Sequence, residues 1–446
     1  MSDITVIGAG LAGSEAAWQL AKAGLSVTLE EMRPKEMTPA HKTGCFAELV
    51  CSNSLRAADV TNAVGLLKEE MRRMGSLIIR CADMNRVEAG GALAVDRNAF
   101  SESVTRAIEE EPLIEVRRLR ANTIPDGPVI IATGPLTEGT FASAVCDFFG
   151  GMDYLSFYDA AAPLVSFSGI DMGSAWFASR YGKGGDDYIN CPLTREEYSL
   201  FVRELASAKQ APVHGFEDSR VFEGCMPVET MARRGEDTLR FGPMKPVGLV
   251  SPYTGTVPYA VVQLRRDNAA GSVYNMVGFQ THLLFAEQKR VFSMIPALSN
   301  AQFLRYGVMH RNSFLCSPAL LDDRYRATKD PRVSFAGQFT GVEGYVESAA
   351  SGLYAALSAA ADIKGLRFRP LPPETATGAL ARYISSASPD SFQPMNINFG
   401  IISPLGERVR GKKEKNARLA ERALRIIDEY VPWLMDEEGE NSEDSD

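Results

Sequence analysis

The chain has 446 residues, of which 45% are hydrophobic and 23% are charged, as is typical of folded globular proteins. This length predicts two or three domains and a core that needs no disulfide or metal to be stable. The formal net charge is −9, yet seven of the 56 acidic residues lie in the last eleven positions, Asp436–Asp446. The remaining 49 acidic and 47 basic residues nearly balance, which excludes a uniformly basic surface but not a nucleic-acid partner.

Cysteine and histidine usage argues against disulfide scaffolds and metal centres. Seven cysteines occur without a CxxC pair, and the four histidines form no HxH or HExxH motif. We therefore expect a reduced, cytoplasmic protein without a metal site. No apolar run approaches the roughly 20 residues of a membrane span, so we expect no membrane partner.

The first thirty residues predict a complete βαβ unit. Ile4–Ile7 is a short apolar run typical of a buried parallel strand, and a glycine-rich turn follows it at once. Ser14–Ala23 predicts an alanine-rich helix, and Val27–Leu29 predicts the second strand. Further patterning predicts helices at Val64–Met74, Asn98–Glu110, Glu347–Ile363, Glu374–Ser386 and Lys415–Tyr430, and strands at Glu88–Val95, Val129–Thr133 and Arg332–Ala336.

The turn-rich middle of the chain predicts an insertion within a larger domain. We assign 1–140 and 319–435 to one discontinuous dinucleotide-binding domain and 141–318 to a mixed α/β inserted domain. The acidic residues 436–446 predict a disordered tail.

The turn after the first strand carries a dinucleotide motif. Its residues are Gly8, Ala9, Gly10, Leu11, Ala12 and Gly13, which read GxGxxG between a strand and a helix. Such glycines allow a tight turn, close approach of a pyrophosphate and tight helix packing. Glu31 lies eighteen residues after the last glycine, where a carboxylate can accept the ribose hydroxyls.

Two later segments favour FAD over NAD. The first ends a strand in small residues, Ala132, Thr133 and Gly134. The second, FAGQFTGVEGYVESAASG, contains Gly337, Gln338, Gly341, Gly344 and Tyr345. This two-part arrangement resembles FAD-binding folds of the glutathione-reductase type. The predicted class is therefore α/β, an FAD-binding Rossmann-like domain with the mixed insertion. A second GxGxxG is absent, so NAD(P)H would have no Rossmann domain of its own.

Two cysteines are candidates for chemistry, although a single cysteine is more often a buried hydrophobe. Cys51 lies in FAELVCSNSLR and Cys225 lies in FEGCMPVE, and both are flanked by small or turn-forming residues. Cys45 and Cys51 form a C-x5-C pair, close to the C-x4-C pair of flavin disulfide reductases. Because disulfide geometry is narrow, one residue of spacing counts against that alternative.

A basic stretch near the C-terminus is open to two interpretations. Arg408–Arg425 contains eight lysines and arginines against two glutamates. Such a stripe suits contacts with phosphates, and it equally suits a solvated helix face.

Nine segments together resemble one family, the folate- and FAD-dependent tRNA (uracil-C5)-methyltransferases. The resemblance covers Met1 to about Gly411, and its most specific segments are FAELVCSNSLR and GQFTGVEGYVESAASG. The other segments, in chain order, are GAGLAGSEAAWQLA, EMRP, TPAH, ATGPLT, FEGCMPVE, FGPMKPVGL and PMNINFG. Cys45 and the acidic tail fall outside the family's motifs.

The resemblance implies methylation of the T-loop uridine of tRNA. Methylenetetrahydrofolate would donate the carbon, reduced FAD would carry it and supply a hydride, and NAD(P)H would re-reduce the flavin. Cys225 would add to uracil C6, and Cys51 would act in proton or carbon transfer near the flavin. We further interpret Lys245 as a group that stabilises the O4 enolate, and Asn396 and Asn398 as flavin or folate contacts.

Three alternatives stay open at this point. The same chemistry could act on a ribosomal RNA uridine, or Cys45 and Cys51 could serve a flavin disulfide reductase. A third alternative is an FAD-loaded RNA-binding protein without catalysis. The sequence does not distinguish a monomer from a weak dimer.

Overall fold

The computed structural model describes residues 2–151, 155–182, 185–211, 226–307 and 309–435. The strands are β1 (Ile4–Ile7), β2 (Val27–Glu30), β3 (Ser54–Ala57), β4 (Arg86–Val87), β5 (Ala92–Val95), β6 (Ile114–Arg117), β7 (Val129–Ile131), β8 (Leu155–Ala160), β9 (Leu164–Ser166), β10 (Trp176–Phe177), β11 (Tyr188–Leu193), β12 (Ala260–Arg266), β13 (Val273–Met276), β14 (Phe303–Arg305), β15 (Met309–Phe314), β16 (Arg326–Ala327) and β17 (Asp330–Phe335).

The helices connect these strands and cover the sheets. They are α1 (Leu11–Lys22), α2 (Ala63–Arg73), α3 (Leu77–Met84), α4 (Arg97–Glu109), α5 (Gly139–Phe148), α6 (Arg195–Ser207), α7 (Val228–Arg233), α8 (Thr238–Phe241), α9 (Phe285–Phe292), α10 (Ser317–Leu320), α11 (Tyr345–Lys364), α12 (Ala376–Ser386) and α13 (Lys412–Met435). Within the described ranges, no helix has the length and apolar character needed to cross a bilayer.

A six-stranded sheet in the order β16-β17-β7-β1-β2-β6 forms the centre of the first core. Its strands run parallel except for β16 at the edge. Val6 lies between Leu29 and Ile130, and all three are buried, as apolar strands covered on both faces require. The predicted α/β fold, a Rossmann-like domain with a mixed α/β insertion, is confirmed.

The second six-stranded sheet is antiparallel, in the order β10-β11-β12-β13-β9-β14. Alternation along its strands gives it two different faces. Val262, Leu264 and Met276 lie on the face that forms the second hydrophobic core. Arg265 and Asn275 lie on the other face, which carries polar side chains toward the first domain.

The boundary between the two hydrophobic cores differs in detail from the predicted domain limits. The first core also contains Phe141, Val145, Phe314 and Leu315, which the sequence interpretation placed in the insertion. The limits 1–140, 319–435 and 141–318 stay predictions, and 436–446 lie outside the described residues.

Several predicted elements need correction. Glu88–Val95 was predicted as one strand, but a turn with Gly90 at φ +58° separates β4 from β5. The α3 helix and the edge strand β6 were not predicted. The eight residues of α3 are too few to show a clear helical period of apolar residues in the sequence. In the structure, Ser76 caps this helix by accepting from the N–H of Ile79.

Candidate functional site

A cavity of about 510 Å³ opens at the carboxyl ends of β1, β2 and β7. This is the edge of a parallel sheet where doubly wound folds bind their ligands. Its volume falls within the range of small-molecule pockets. Residues of the inserted domain, Arg265, Asn275 and Gln280 among them, line the same cavity. Both domains therefore contribute to one site.

The glycine motif has two structural roles. A Cβ atom on Gly8 would lie 2.6 Å from the carbonyl oxygen of Ala132, and one on Gly13 would lie 1.7 Å from the carbonyl oxygen of Gly8. Both glycines therefore allow strand, turn and helix to pack. A Cβ on Gly10 would meet nothing within 4 Å, and Gly10 lines the cavity as the N-cap of α1. In the described parts of the chain, no side chain caps this helix start, which leaves its amides to bind a phosphate.

Glu31 is held as an acceptor beside the glycine turn. Its carboxylate accepts from the N–H of Ala9 at 2.9 Å and from the Nε of Arg33 at 3.0 Å. Burial raises the pKa of Glu31, but the Arg33 guanidinium and these hydrogen bonds outweigh it and leave that pKa below its usual value. The carboxylate is thus ionised and can accept ribose hydroxyls as well.

The second glycine segment brings a second helix start to the cavity. Gly344 has φ +109°, a backbone conformation that favours glycine, and α11 begins at the next residue. Helices α1 and α11 cross so closely that a Cβ on Gly352 would lie 2.1 Å from the carbonyl oxygen of Ala12. The two predicted halves of the dinucleotide site therefore meet in space.

Most of the predicted cofactor residues line the cavity, and three do not. Ala9 donates its N–H to Glu31, Gly13 is a packing residue, and a Cβ on Gly341 would lie 2.4 Å from the Phe392 ring. The residues that line it are Gly8, Gly10, Leu11, Ala12, Glu31, Ala132, Thr133, Gly134, Gly337, Gln338, Gly344 and Tyr345.

Tyr345 connects α11 to the Cys51 loop. Its hydroxyl oxygen accepts from the N–H of Cys51 at 2.7 Å and from that of Ser52 at 3.1 Å. Burial raises the pKa of Tyr345 far above its ordinary value, so the phenol keeps its proton. The Cys51 backbone is thereby fixed at the cavity wall, which Cys51 itself lines.

Three arginines surround the Cys51 loop. Arg305 donates from Nη2 to the carbonyl oxygen of Cys51 at 3.3 Å, and Arg265 donates from Nη2 to the Ser52 hydroxyl at 2.7 Å. Arg97 donates to the carbonyl oxygen of Leu49, two residues before Cys51, and pairs with Asp267 at 2.8 Å. Sequence reasoning missed this cluster because its members are scattered along more than 200 positions without a motif.

The other cysteine predictions have different outcomes. Cys225 lies outside the described residues, but Val228 donates its N–H to the carbonyl oxygen of Gln280 at 2.7 Å. Since Gln280 lines the cavity, the chain is anchored there three residues after Cys225. Cys45 is a free thiol that does not line the cavity, so no disulfide joins it to Cys51.

Of the remaining predicted site residues, one lines the cavity and two do not. Asn396 lines the cavity and donates to the carbonyl oxygen of Glu343 at 2.6 Å. Asn398 and Lys245 are exposed and lie outside the cavity lining. Across the part of the chain that the structure describes, no three His, Cys, Asp or Glu side chains are grouped to hold a metal ion.

The chain is similar to known proteins over most of its length. The family model described as "Glucose inhibited division protein A" matches residues 3–367. A protein of Acetivibrio thermocellus named methylenetetrahydrofolate–tRNA-(uracil-5-)-methyltransferase TrmFO is 58% identical over 429 residues, 96% of this chain and 98% of its own. A protein of Desulfitobacterium hafniense with the same name is 57% identical over 431 residues, with the same coverage.

Among solved structures, Aquifex aeolicus GidA in its form II crystal superposes with a TM-score of 0.68 at 15% identity. The match covers 98% of this chain and 74% of that one. At this identity the likeness shows a shared fold.

Proposed function

The chain belongs to the methylenetetrahydrofolate–tRNA-(uracil-5-)-methyltransferase family, and from this premise we propose that it methylates C5 of a uridine in tRNA. The carbon comes from methylenetetrahydrofolate, and FAD is the cofactor. One observation carries the proposal: a single cavity joins a dinucleotide cradle at Gly10 to a cysteine, Cys51, within an arginine cluster.

The residues present fit FAD. The uncapped start of α1 and the open space at Gly10 suit a pyrophosphate, and ionised Glu31 suits a ribose. Gly344 and Tyr345 at the start of α11 would hold the middle of the cofactor. When bound, reduced FAD would supply the carbon relay and the reducing equivalents that bring the transferred carbon to the methyl level.

The two cysteines would divide the chemistry on uracil. C5 of uracil is a weak nucleophile, and addition of the Cys225 thiolate to C6 moves the double-bond electrons toward O4 and activates C5. After C5 has accepted the carbon unit, a base must remove its proton. Cys51 is the candidate for that role, because it lines the cavity and its loop is held by Arg265 and Arg305. Loss of that proton breaks the bond between the transferred carbon and its carrier. Addition of a hydride to that carbon completes the methyl group, and departure of Cys225 restores the C5–C6 double bond.

Two finer parts of the proposal rest on the resemblance alone. The target is the T-loop uridine, and NAD(P)H is the reductant of the flavin. The reductase alternative loses its support because Cys45 is a free thiol away from the cavity.

The direct test uses methylenetetrahydrofolate labelled on its transferable carbon. The protein is incubated with FAD and NAD(P)H, and separately with unmodified tRNA and a ribosomal RNA fragment. We expect label in a T-loop uridine of tRNA. Label in the ribosomal fragment alone would move the same chemistry to a different RNA, and no label in either would refute a methyltransferase.

A further inference from the structure

Asn275 is an unusual residue in the wall of the cavity. Only 3% of its surface is exposed, and its Nδ2 has no hydrogen-bond partner among the described residues. A buried amide without a partner is destabilising, because it has lost its hydrogen bonds with water and gained none in the protein. The side chain lines the cavity, so a ligand there can supply the missing acceptor.

Arg265 stands beside it on the same face of the inserted sheet. The two residues are register partners on β12 and β13, and directly opposite residues of an antiparallel pair share a face. Arg265 is 8% exposed and lines the cavity. Its Nε donates to Oδ1 of Asn53 at 3.1 Å and its Nη2 to Ser52 at 2.7 Å, so the guanidinium is fixed next to the Cys51 loop.

We propose that Asn275 and Arg265 bind the O4–N3 edge of the acceptor uracil, an inference that rests on the methyltransferase function proposed above. An amide offers one donor group and one acceptor, which complement the carbonyl oxygen and ring N–H of that edge. Cytosine presents an amine and a ring acceptor there, so the same amide discriminates against it. The Arg265 charge stabilises the negative charge that develops on O4 when the thiolate adds to C6.

The position of the pair favours the substrate over the cofactor. The glycine cradle and α11 belong to the first domain, whereas Asn275 and Arg265 project from the inserted sheet, across the cavity near Cys51. The isoalloxazine ring of the flavin and the pterin ring of the folate carry a similar carbonyl–nitrogen edge. The experiment must therefore separate these sources.

The most informative variant is Asn275→Leu. Because Nδ2 has no partner to lose within the described parts of the chain, we expect the melting temperature and the flavin absorbance to stay unchanged or to rise. We expect kcat/KM for tRNA to fall at least about a hundredfold, since a site built around a polar edge then lacks its partner. The companion variant changes the other residue of the pair, Arg265→Lys. Its matched control is Arg266→Lys, because Arg266 lies on the opposite face of the sheet and pairs with Glu88.

A second variant, Asn275→Asp, tests the edge itself. A carboxylate accepts hydrogen bonds and repels O4, so the preference for uridine over cytidine at the target position of a tRNA transcript should fall at least about tenfold. Reduced FAD affinity with unchanged tRNA kinetics would assign the pair to the flavin and overturn the proposal. A raised KM for methylenetetrahydrofolate alone would assign it to the pterin, with the same consequence.

The wild-type protein separates the two levels of the argument. Absence of label in tRNA with the wild type would refute the methyltransferase function. Full wild-type activity together with undiminished turnover in Asn275→Leu and Arg265→Lys would refute the uracil contact alone.

Discussion

The two ends of the cavity bind by different means. At the cradle end, the wall includes the glycine turn and the carboxylate of Glu31, and Gly10 leaves open space at the start of α1. At the domain junction, the wall consists of buried polar side chains, among them Arg265 and Asn275. A backbone site selects a shape and a phosphate, whereas a side-chain site can take part in chemistry. Cofactor binding and catalysis should therefore be separable by mutation.

The largest effect is expected for Cys225→Ala. If Cys225 is the nucleophile that activates C5, the variant should lose all detectable methylation of tRNA while it retains FAD. Label transfer and flavin absorbance measured on the same preparation check both parts. Undiminished turnover would exclude Cys225 as the nucleophile.

Gly10→Val should affect the cradle end alone. A side chain at this position has room in the protein but occupies the space for the pyrophosphate, so FAD affinity should fall at least about a hundredfold. Flavin absorbance after purification and FAD titration measure the effect. Gly91→Val is the control, because Gly91 also has open space around it but lies outside the cavity lining. A yellow, FAD-saturated Gly10→Val protein would contradict the account of the cradle.

Lys68 connects the folding stability of the protein to the backbone of β3, part of which lines the cavity. Its Nζ donates to the carbonyl oxygens of Leu55 and Ala57 at 2.7 Å, on either side of Arg56, which has φ +62°. Burial, followed by the charge of Arg56, lowers the pKa of Lys68 to about 7. From there up to the ordinary lysine pKa of about 10.4, the unfolded chain binds more protons than the folded one, so stability rises with pH in that range.

The matching variant is Lys68→Met. It leaves the buried carbonyl group of Leu55 and the half-buried one of Ala57 without their donor, at a cost of about 2–4 kcal/mol. It also removes the titration, so urea unfolding at pH 7, 8 and 9 should show the wild-type advantage growing with pH. A constant difference would mean that Lys68 keeps its ordinary pKa in the folded protein.

The smallest effect is expected from the basic stretch on α13. Arg418 is paired with Glu407 and Glu414, and Arg422 donates to the carbonyl oxygens of Ser403 and Pro404. These two arginines therefore have structural partners.

The remaining charges can be tested by reversing Lys412, Lys413 and Lys415, which are exposed. If they contact tRNA phosphates, the affinity for tRNA should fall several-fold. The slope of the logarithm of the binding constant against the logarithm of the salt concentration should become less steep by up to about 0.9 per lost contact. Lys22→Glu, on the exposed surface of α1, is the control. An unchanged salt titration would assign the stretch to a solvated surface.

The contrast between the cradle end and the domain junction also explains how much of the site could be predicted from the sequence. The cradle is local: its glycines, its strand and Glu31 lie within one βαβ unit, and their spacing reflects their geometry. The junction is assembled from Cys51, Arg97, Arg265, Asn275 and Arg305, which only the fold brings together.

Lys245 shows where prediction from the sequence fails. This lysine lies within a family segment and was predicted to stabilise O4, but its side chain is exposed and lies outside the cavity lining. Lys245 belongs to the loop between α8 and β12, and a position within a sequence segment does not report whether a loop side chain faces the cavity.

The separation of binding from chemistry is tested most directly by flavin content and label transfer in Cys51→Ala. The Cys51 loop is held by backbone contacts with Tyr345 and Arg305, so removal of the thiol should leave the cavity intact. We predict a fully FAD-loaded protein that transfers no labelled carbon to tRNA. Flavin and label lost in proportion, or label transfer at the wild-type rate, would contradict the account.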